Sequence, residues 1–233
     1  MGKINKTVLG IAFFAISLGF VFCDEKPMAL TQEEELAPFP QNQLDSEIVD
    51  YFYLQIMKEL EMDFAHQSDG RTHRDTREYG YSFFKMENGD FSYTAPPEFL
   101  QAFGNKICES LGHPHQEFNN IILSAYKEGF HLEPHFDINS SDPHEKGYYF
   151  DENVYGIIIE ADATGHLYIV RDDVNLVPPL DLAPIYSIEE KRGTVFCLQG
   201  KYRRLPYFHG VSRVSRGRVS ITFRKVIIDN VTN

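Results

Sequence analysis

Three side chains in this 233-residue sequence have the types and spacing to hold a metal ion: His135, Asp137 and, far downstream, His209. Residues i and i+2 of a strand point to one face, so His135 and Asp137 can reach a single ion together. Two histidines and one carboxylate are the ligand set that holds non-haem Fe(II) and leaves coordination positions open for chemistry. The same set also suits zinc, which would make the chain a hydrolase. His131 shares strand parity with His135 and competes as a neighbour rather than a ligand, as does His144. His113 and His115 flank Pro114 and read as surface residues.

Beyond His209 the order Arg218-Val-Ser-Ile-Thr-Phe-Arg224 alternates polar and apolar. Arg218, Ser220, Thr222 and Arg224 therefore share one face of a strand, and Val219, Ile221 and Phe223 share the other. If that polar face turns inward, its arginines need an anion, because an unpaired buried cation is costly. A planar guanidinium matches a carboxylate fork. An ion held by three protein ligands has room for a 2-oxo acid, chelating through its keto and C1 carboxylate oxygens, and for O₂. A cation is then required for the far carboxylate, and Tyr126 offers its hydroxyl as a further donor. The plain alternative is an edge strand with solvated Arg and Ser.

Those residues need a frame, and the rest of the sequence supplies one. Ile48, Phe52, Ile56 and Leu60 recur every four residues, which predicts a helix over about 46–62. Pro96-Pro97 opens a second helix through Phe99, Leu100, Phe103, Ile107 and Leu111, closed by Gly112. Arg77–Phe84 reads as a strand. From Asn120 onward short apolar runs alternate with turn residues: Ile121–Tyr126, Val154–Glu160, Gly165–Val170, Gly193–Leu198 and Arg218–Ile228. The expected fold is mainly β with flanking N-terminal helices, a barrel or double-sheet jelly roll.

Composition narrows the function. The formal net charge of −12 argues against a general nucleic-acid binder, whose affinity is mostly cationic. A local basic patch stays open, since Arg203, Arg204, Arg213, Arg216 and Arg218 lie close in sequence to His209. Lys3 and Lys6 precede the apolar run Thr7–Phe22, and acidic chain begins at Asp24. Residues 1–23 thus read as a signal peptide or signal anchor, with Cys23 as a candidate for lipid modification. The expected location is exported (periplasmic or secreted) or membrane-anchored through that segment. Residues 24–45, with Pro27, Pro38 and Pro40, read as a linker before a domain over 46–230. Cys108 and Cys197 could form one disulfide in an oxidising compartment, although Cys197 sits in the apolar run Thr194–Leu198 and reads as a core residue.

Taken in order, these motifs resemble those of the AlkB-like Fe(II)/2-oxoglutarate dioxygenases over roughly residues 70–228. Tyr126-Lys-Glu-Gly129 followed by His135-Phe-Asp137 matches the family's Tyr-x-x-Gly…His-x-Asp pattern. Gly193-Thr-Val…Gln-Gly200…Arg204…His209-Gly-Val211 matches the segment carrying the distal His, and Arg218–Arg224 matches its Arg-x-Ser-x-Thr-x-Arg ending. Arg77-x-Tyr-Gly80 resembles the lead-in strand, while Ser124 stands where the family often has Asn. The resemblance implies a double-stranded β-helix in which His135, Asp137 and His209 bind Fe(II). It implies that Tyr126 and Arg218 hold 2-oxoglutarate and that Arg224 acts near its C1 carboxylate or the substrate. The expected activity is hydroxylation or oxidative demethylation with O₂. The primary substrate is left open between an alkylated nucleobase, a protein and a small metabolite. The competing expectation is a non-catalytic exported jelly-roll binding module that retains the metal site.

Overall fold

A computed structural model describes residues 39–60, 65–68, 72–85, 91–137, 148–173, 182–203 and 205–228. Residues 1–23, read as a leader, and most of the 24–45 segment lie outside these. Among the described residues no helix is long and apolar enough to cross a membrane.

Helix α1 spans Ser46–Leu60 and α2 spans Glu98–Ser110. Asp45 starts α1 by accepting the backbone N–H of Glu47 at 2.9 Å. Spacings of three and four residues along α1 bury Val49, Phe52 and Ile56 and leave Tyr51 and Leu54 in solvent. Burial of each large apolar side chain contributes about 1.5–3 kcal/mol. Phe52 meets Phe103 of α2 at 4.4 Å between ring centroids. After α2, Gly112 adopts φ +74°, the left-handed conformation that ends a helix without a Cβ penalty.

The strands are β1 (Gln41–Gln43), β2 (Ala65–Ser68), β3 (Thr72–Lys85), β4 (Phe91–Thr94), β5 (Asn120–Lys127), β6 (His131–His135), β7 (Tyr148–Phe150), β8 (Val154–Glu160), β9 (Leu167–Arg171), β10 (Tyr186–Ser187), β11 (Thr194–Leu198), β12 (Tyr207–Val211), β13 (Gly217–Arg224) and β14 (Val226–Ile228). All pairings are antiparallel, in the order β1-β11-β8-β13-β5-β3-β6-β12-β9-β10, with β2 and β4 beside β3. β7 and β14 form a separate ribbon. This is the mainly β, jelly-roll architecture with N-terminal helices that the sequence predicts.

Strand parity then sorts the side chains. Ile121 and Leu123 of β5, Tyr155, Ile157 and Ile159 of β8, and Val219, Ile221 and Phe223 of β13 pack with the two helices in the main core. The other face of β13 therefore turns Arg218, Ser220 and Arg224 into the interior, where all three are buried.

Two boundaries differ from expectation. The end of the segment read as a linker belongs to the fold: Gln41–Gln43 pairs with β11, and Leu44 is buried. Phe39 is buried as well, with ring contacts to Tyr186 at 5.3 Å and Tyr202 at 5.4 Å. The long run Arg218–Ile228 is two strands, interrupted at exposed Lys225, because β14 leaves the sheet to pair with β7.

Candidate metal centre

His135 closes β6 and His209 lies in the middle of β12, and the two are direct cross-strand partners. Opposed residues of an antiparallel pair point to the same face, and here the imidazole centroids are 4.3 Å apart. Asp137 follows two residues after His135. One ligand atom from each of His135, Asp137 and His209 lies within 4.8 Å of the others, the spacing that a shared ion requires.

The chemical state of the three groups fits a divalent cation. His135 Nδ1 donates to the carbonyl oxygen of Glu133 at 3.0 Å, which leaves Nε2 with its lone pair as the ligand atom. Burial pushes the imidazole of His135 down, with Asp137 pulling the other way. Burial also holds His209 well below its ordinary range, aided by His135 beside it. Both rings are therefore neutral near pH 7. Burial would raise the carboxyl of Asp137, but the Arg224 guanidinium beside it outweighs that and keeps the group ionised, well below the usual carboxylate range. Two neutral imidazoles and one carboxylate are the deprotonated donors that metal binding needs. Nδ1 of His209 is buried without a hydrogen-bond partner, as is rare for an interior polar atom.

The arginines of β13 have their anions inside the chain. Arg224 donates from Nε to Asp137 Oδ2 at 3.1 Å and from Nη1 to Thr222 Oγ1 at 2.7 Å. Arg218 donates from Nε and Nη2 to the two carboxylate oxygens of Glu190, at 2.7 and 2.8 Å. Its guanidinium also lies 5.2 Å from the ring centroid of Tyr126, the residue opposite it on β5. The expectation that inward arginines need an anion holds, but residues of the chain supply it. Glu190 was hidden in the run Glu189-Glu190-Lys191-Arg192, which looks like a solvated turn.

Other expectations sort as follows. Arg203 is buried and donates to the carbonyl of Asp151, so with Arg218 it is an interior group rather than part of a surface patch. Arg213 and Arg216 are exposed, while Arg204 and His144 lie outside the described residues. His113 is half-buried, its Nδ1 2.9 Å from the hydroxyl of Tyr155, whereas His115 is exposed. His131 sits at the far end of β6, paired with β3 instead of facing His209. Cys108 and Cys197 are both buried and unpaired. Arg74 on β3 had no sequence signal, yet its Nη1 lies 3.4 Å from Ser124 Oγ and its charge acts on His135.

No protein-family model matches the sequence, and no curated protein does. Solved structures do match. That of OsALKBH1 is 14% identical with a TM-score of 0.54, covering 81% of this chain and 99% of its own. A 2OG-Fe(II) oxygenase family oxidoreductase from Burkholderia pseudomallei is 14% identical with a TM-score of 0.52, covering 79% of this chain and 84% of its own. A Trichoplax adhaerens prolyl hydroxylase, solved with a hypoxia inducible factor peptide fragment, is 12% identical with a TM-score of 0.51, covering 80% and 82%. Likeness at this level of identity speaks for the fold, and the chain has the jelly-roll fold of the 2OG-Fe(II) oxygenases.

Proposed function

We propose that the chain is an Fe(II)/2-oxoglutarate-dependent dioxygenase that hydroxylates or oxidatively demethylates its substrate. The observation that carries this reading is the convergence of His135, Asp137 and His209 within 4.8 Å, with Asp137 and His209 buried, at the end of β6 and the middle of β12. His135, Asp137 and His209 would hold Fe(II), which when bound supplies the oxidative chemistry with O₂ and the 2-oxo acid. The protein's own part is geometric and electrostatic. Strands β6 and β12 fix the imidazoles, and Arg224 keeps Asp137 ionised and oriented. Tyr126 and Arg218 face each other across β5 and β13, and the proposal assigns both to the co-substrate's side of the site.

The substrate is the finer part of the proposal. Burial of Arg203 and Arg218 removes two cations from any phosphate grip, and the net charge is −12. A protein or small-molecule substrate is favoured over a nucleobase on that ground, and the Trichoplax structure offers a peptide precedent in another protein. Salt-dependent binding to single-stranded DNA would reverse the preference. Export or anchoring through residues 1–23 stays part of the proposal on sequence grounds, and cell fractionation tests it.

The decisive experiment is succinate formation by the protein supplied with Fe(II) and 2-oxoglutarate under air, beside Asp137→Ala. Turnover lost in the variant supports the oxygenase. Fe(II) binding by folded protein without succinate, across methylated oligonucleotides, peptides and small molecules, would favour the non-catalytic module. Metal-dependent hydrolysis with zinc and no oxidation would favour the hydrolase.

A further inference from the structure

The fork of Arg218 is already filled. Glu190 takes the Nε and Nη2 donors at 2.7 and 2.8 Å, the bidentate geometry that a bound dicarboxylate would otherwise use. Nη1 of Arg218 donates to Ser220 Oγ at 2.9 Å. The pair is sealed from solvent, with side-chain exposures of 2% for Arg218 and 0% for Glu190.

Glu190 is also anchored from behind. Its Oε1 accepts the backbone N–H of Leu167 at 2.8 Å. The turn that carries it is pinned on both sides, by Ile188 N–H to the Leu167 carbonyl at 3.0 Å and by Gly193 N–H to the Ile158 carbonyl at 2.7 Å. A carboxylate with three donors and no contact with water does not swing aside readily, because leaving would strand both it and the arginine. A further carboxylate arriving there would find the fork of Arg218 already occupied by Glu190.

We propose that Glu190 is a built-in substitute for the far carboxylate of the co-substrate, so that the site takes 2-oxo acids as a class and gains little from a second carboxylate. This inference rests on the oxygenase reading above. Chelation through the keto and C1 carboxylate oxygens would carry the binding, with the chain beyond them packed near Tyr126. Glu190 is then a specificity-determining residue: its charge sets how far the protein distinguishes a dicarboxylate from a neutral-tailed acid.

The test titrates Fe(II)-loaded protein, without O₂, with 2-oxoglutarate and separately with 2-oxopentanoate. The second acid has the same carbon chain and a methyl in place of the far carboxylate. Binding is followed by the visible charge-transfer absorbance of an Fe(II)-chelated 2-oxo acid. The two dissociation constants are expected to agree within about tenfold. In Glu190→Gln, which frees the arginine, the preference for 2-oxoglutarate is expected to rise about tenfold or more above that of the wild type. A wild-type preference for 2-oxoglutarate well beyond tenfold, or an unchanged preference in a folded Glu190→Gln, overturns the proposal. If the variant does not fold, the wild-type ratio still decides. Absorbance with 2-oxopentanoate keeps the oxygenase reading intact whatever the ratio, whereas none with either acid removes that reading and this inference together.

Discussion

Arg224 Nε donates to Asp137 Oδ2 at 3.1 Å, and both side chains are buried. Eighty-seven positions separate the two residues, and β13 and the end of β6 bring them together. The pair couples the candidate metal ligand to the polar inner face of β13. Removing one partner of a buried pair leaves the other charge uncompensated. Arg224→Met is therefore expected to lower the stability of the metal-free protein by about 3 kcal/mol. Urea unfolding of wild type and variant, both stripped of metal, checks this. A loss under about 1 kcal/mol would mean that Asp137 does not depend on Arg224.

The second prediction concerns the metal itself. A ligand that binds only the native state raises its stability, by about 2.7 kcal/mol at a hundredfold excess over Kd. Fe(II) under anaerobic conditions is expected to raise Tm of the wild type, and His209→Ala and Asp137→Ala are expected to lose that rise. Neutral His135 and His209 suit this at pH 7. A thermal shift that survives both substitutions would place the ion elsewhere.

How far the site could be read from sequence depends on range. His135 and Asp137 were legible together because strand parity is a local rule, and β8 was legible because a run such as Val154–Glu160 is buried on both faces. The second histidine was legible through its motif, but the register that sets His209 opposite His135 exists only once β12 has found β6. β1 gave no signal, since Gln41-Asn-Gln43 is polar and exposed and joins the sheet through its backbone. Glu190 and Asp162 were missed for the same reason. Each is a charged residue in a turn-like stretch, where solvation is the ordinary outcome, and only the folded chain shows each of them sequestered among donors.

Asp162 gives the third prediction. Its carboxylate accepts the backbone N–H groups of Thr164, Gly165, Ser215 and Arg216 at 2.8–3.0 Å, tying two turns together. Burial alone would raise this carboxyl, but the backbone donors hold it well below the usual carboxylate range. A depressed native pKa stabilises the fold above the unfolded value of about 3.9, and the contribution is lost as pH falls from there toward the native value. Asp162→Ala is expected to cost about 3 kcal/mol at pH 7 and to show a shallower loss of stability than wild type between about pH 5 and pH 2. Urea midpoints across that window check the sign. Parallel acid profiles for both proteins would count against the carboxylate clamp.

The fourth prediction concerns the thiols. Cys108 and Cys197 are buried at the interface of α2 with the sheet, and burial pushes the Cys197 thiol up to about 12. A thiol held protonated and away from solvent is a poor nucleophile. Alkylation of native protein at pH 8, read peptide by peptide in a mass spectrometer, is expected to leave both residues unlabelled, and denaturant is expected to expose both. A disulfide-linked peptide containing Cys108 and Cys197 would contradict the unpaired arrangement.

The last prediction tests the backbone that leads into the site. Gly80 lies within β3 at φ +82°, a conformation that side chains other than glycine adopt only with strain. A methyl group there would overlap the carbonyl of Asn119, which accepts the N–H of Tyr81 at 2.7 Å. The neighbour is backbone, so it cannot rotate away. Asn120, the next residue, is fully buried and donates to Glu78 Oε1 at 2.9 Å and to the Tyr81 carbonyl at 2.8 Å. Displacing Asn119 would therefore disturb the start of β5, the strand that carries Ser124 and Tyr126. Gly80→Ala is expected to cost at least about 2 kcal/mol, combining left-handed strain with the overlap. It is also expected to weaken 2-oxo acid binding more than Fe(II) binding, because β5 carries Tyr126, which the proposal assigns to the co-substrate, while His135 and His209 lie on β6 and β12. Equal losses of the two affinities at matched folding would place the effect on global stability and not on β5.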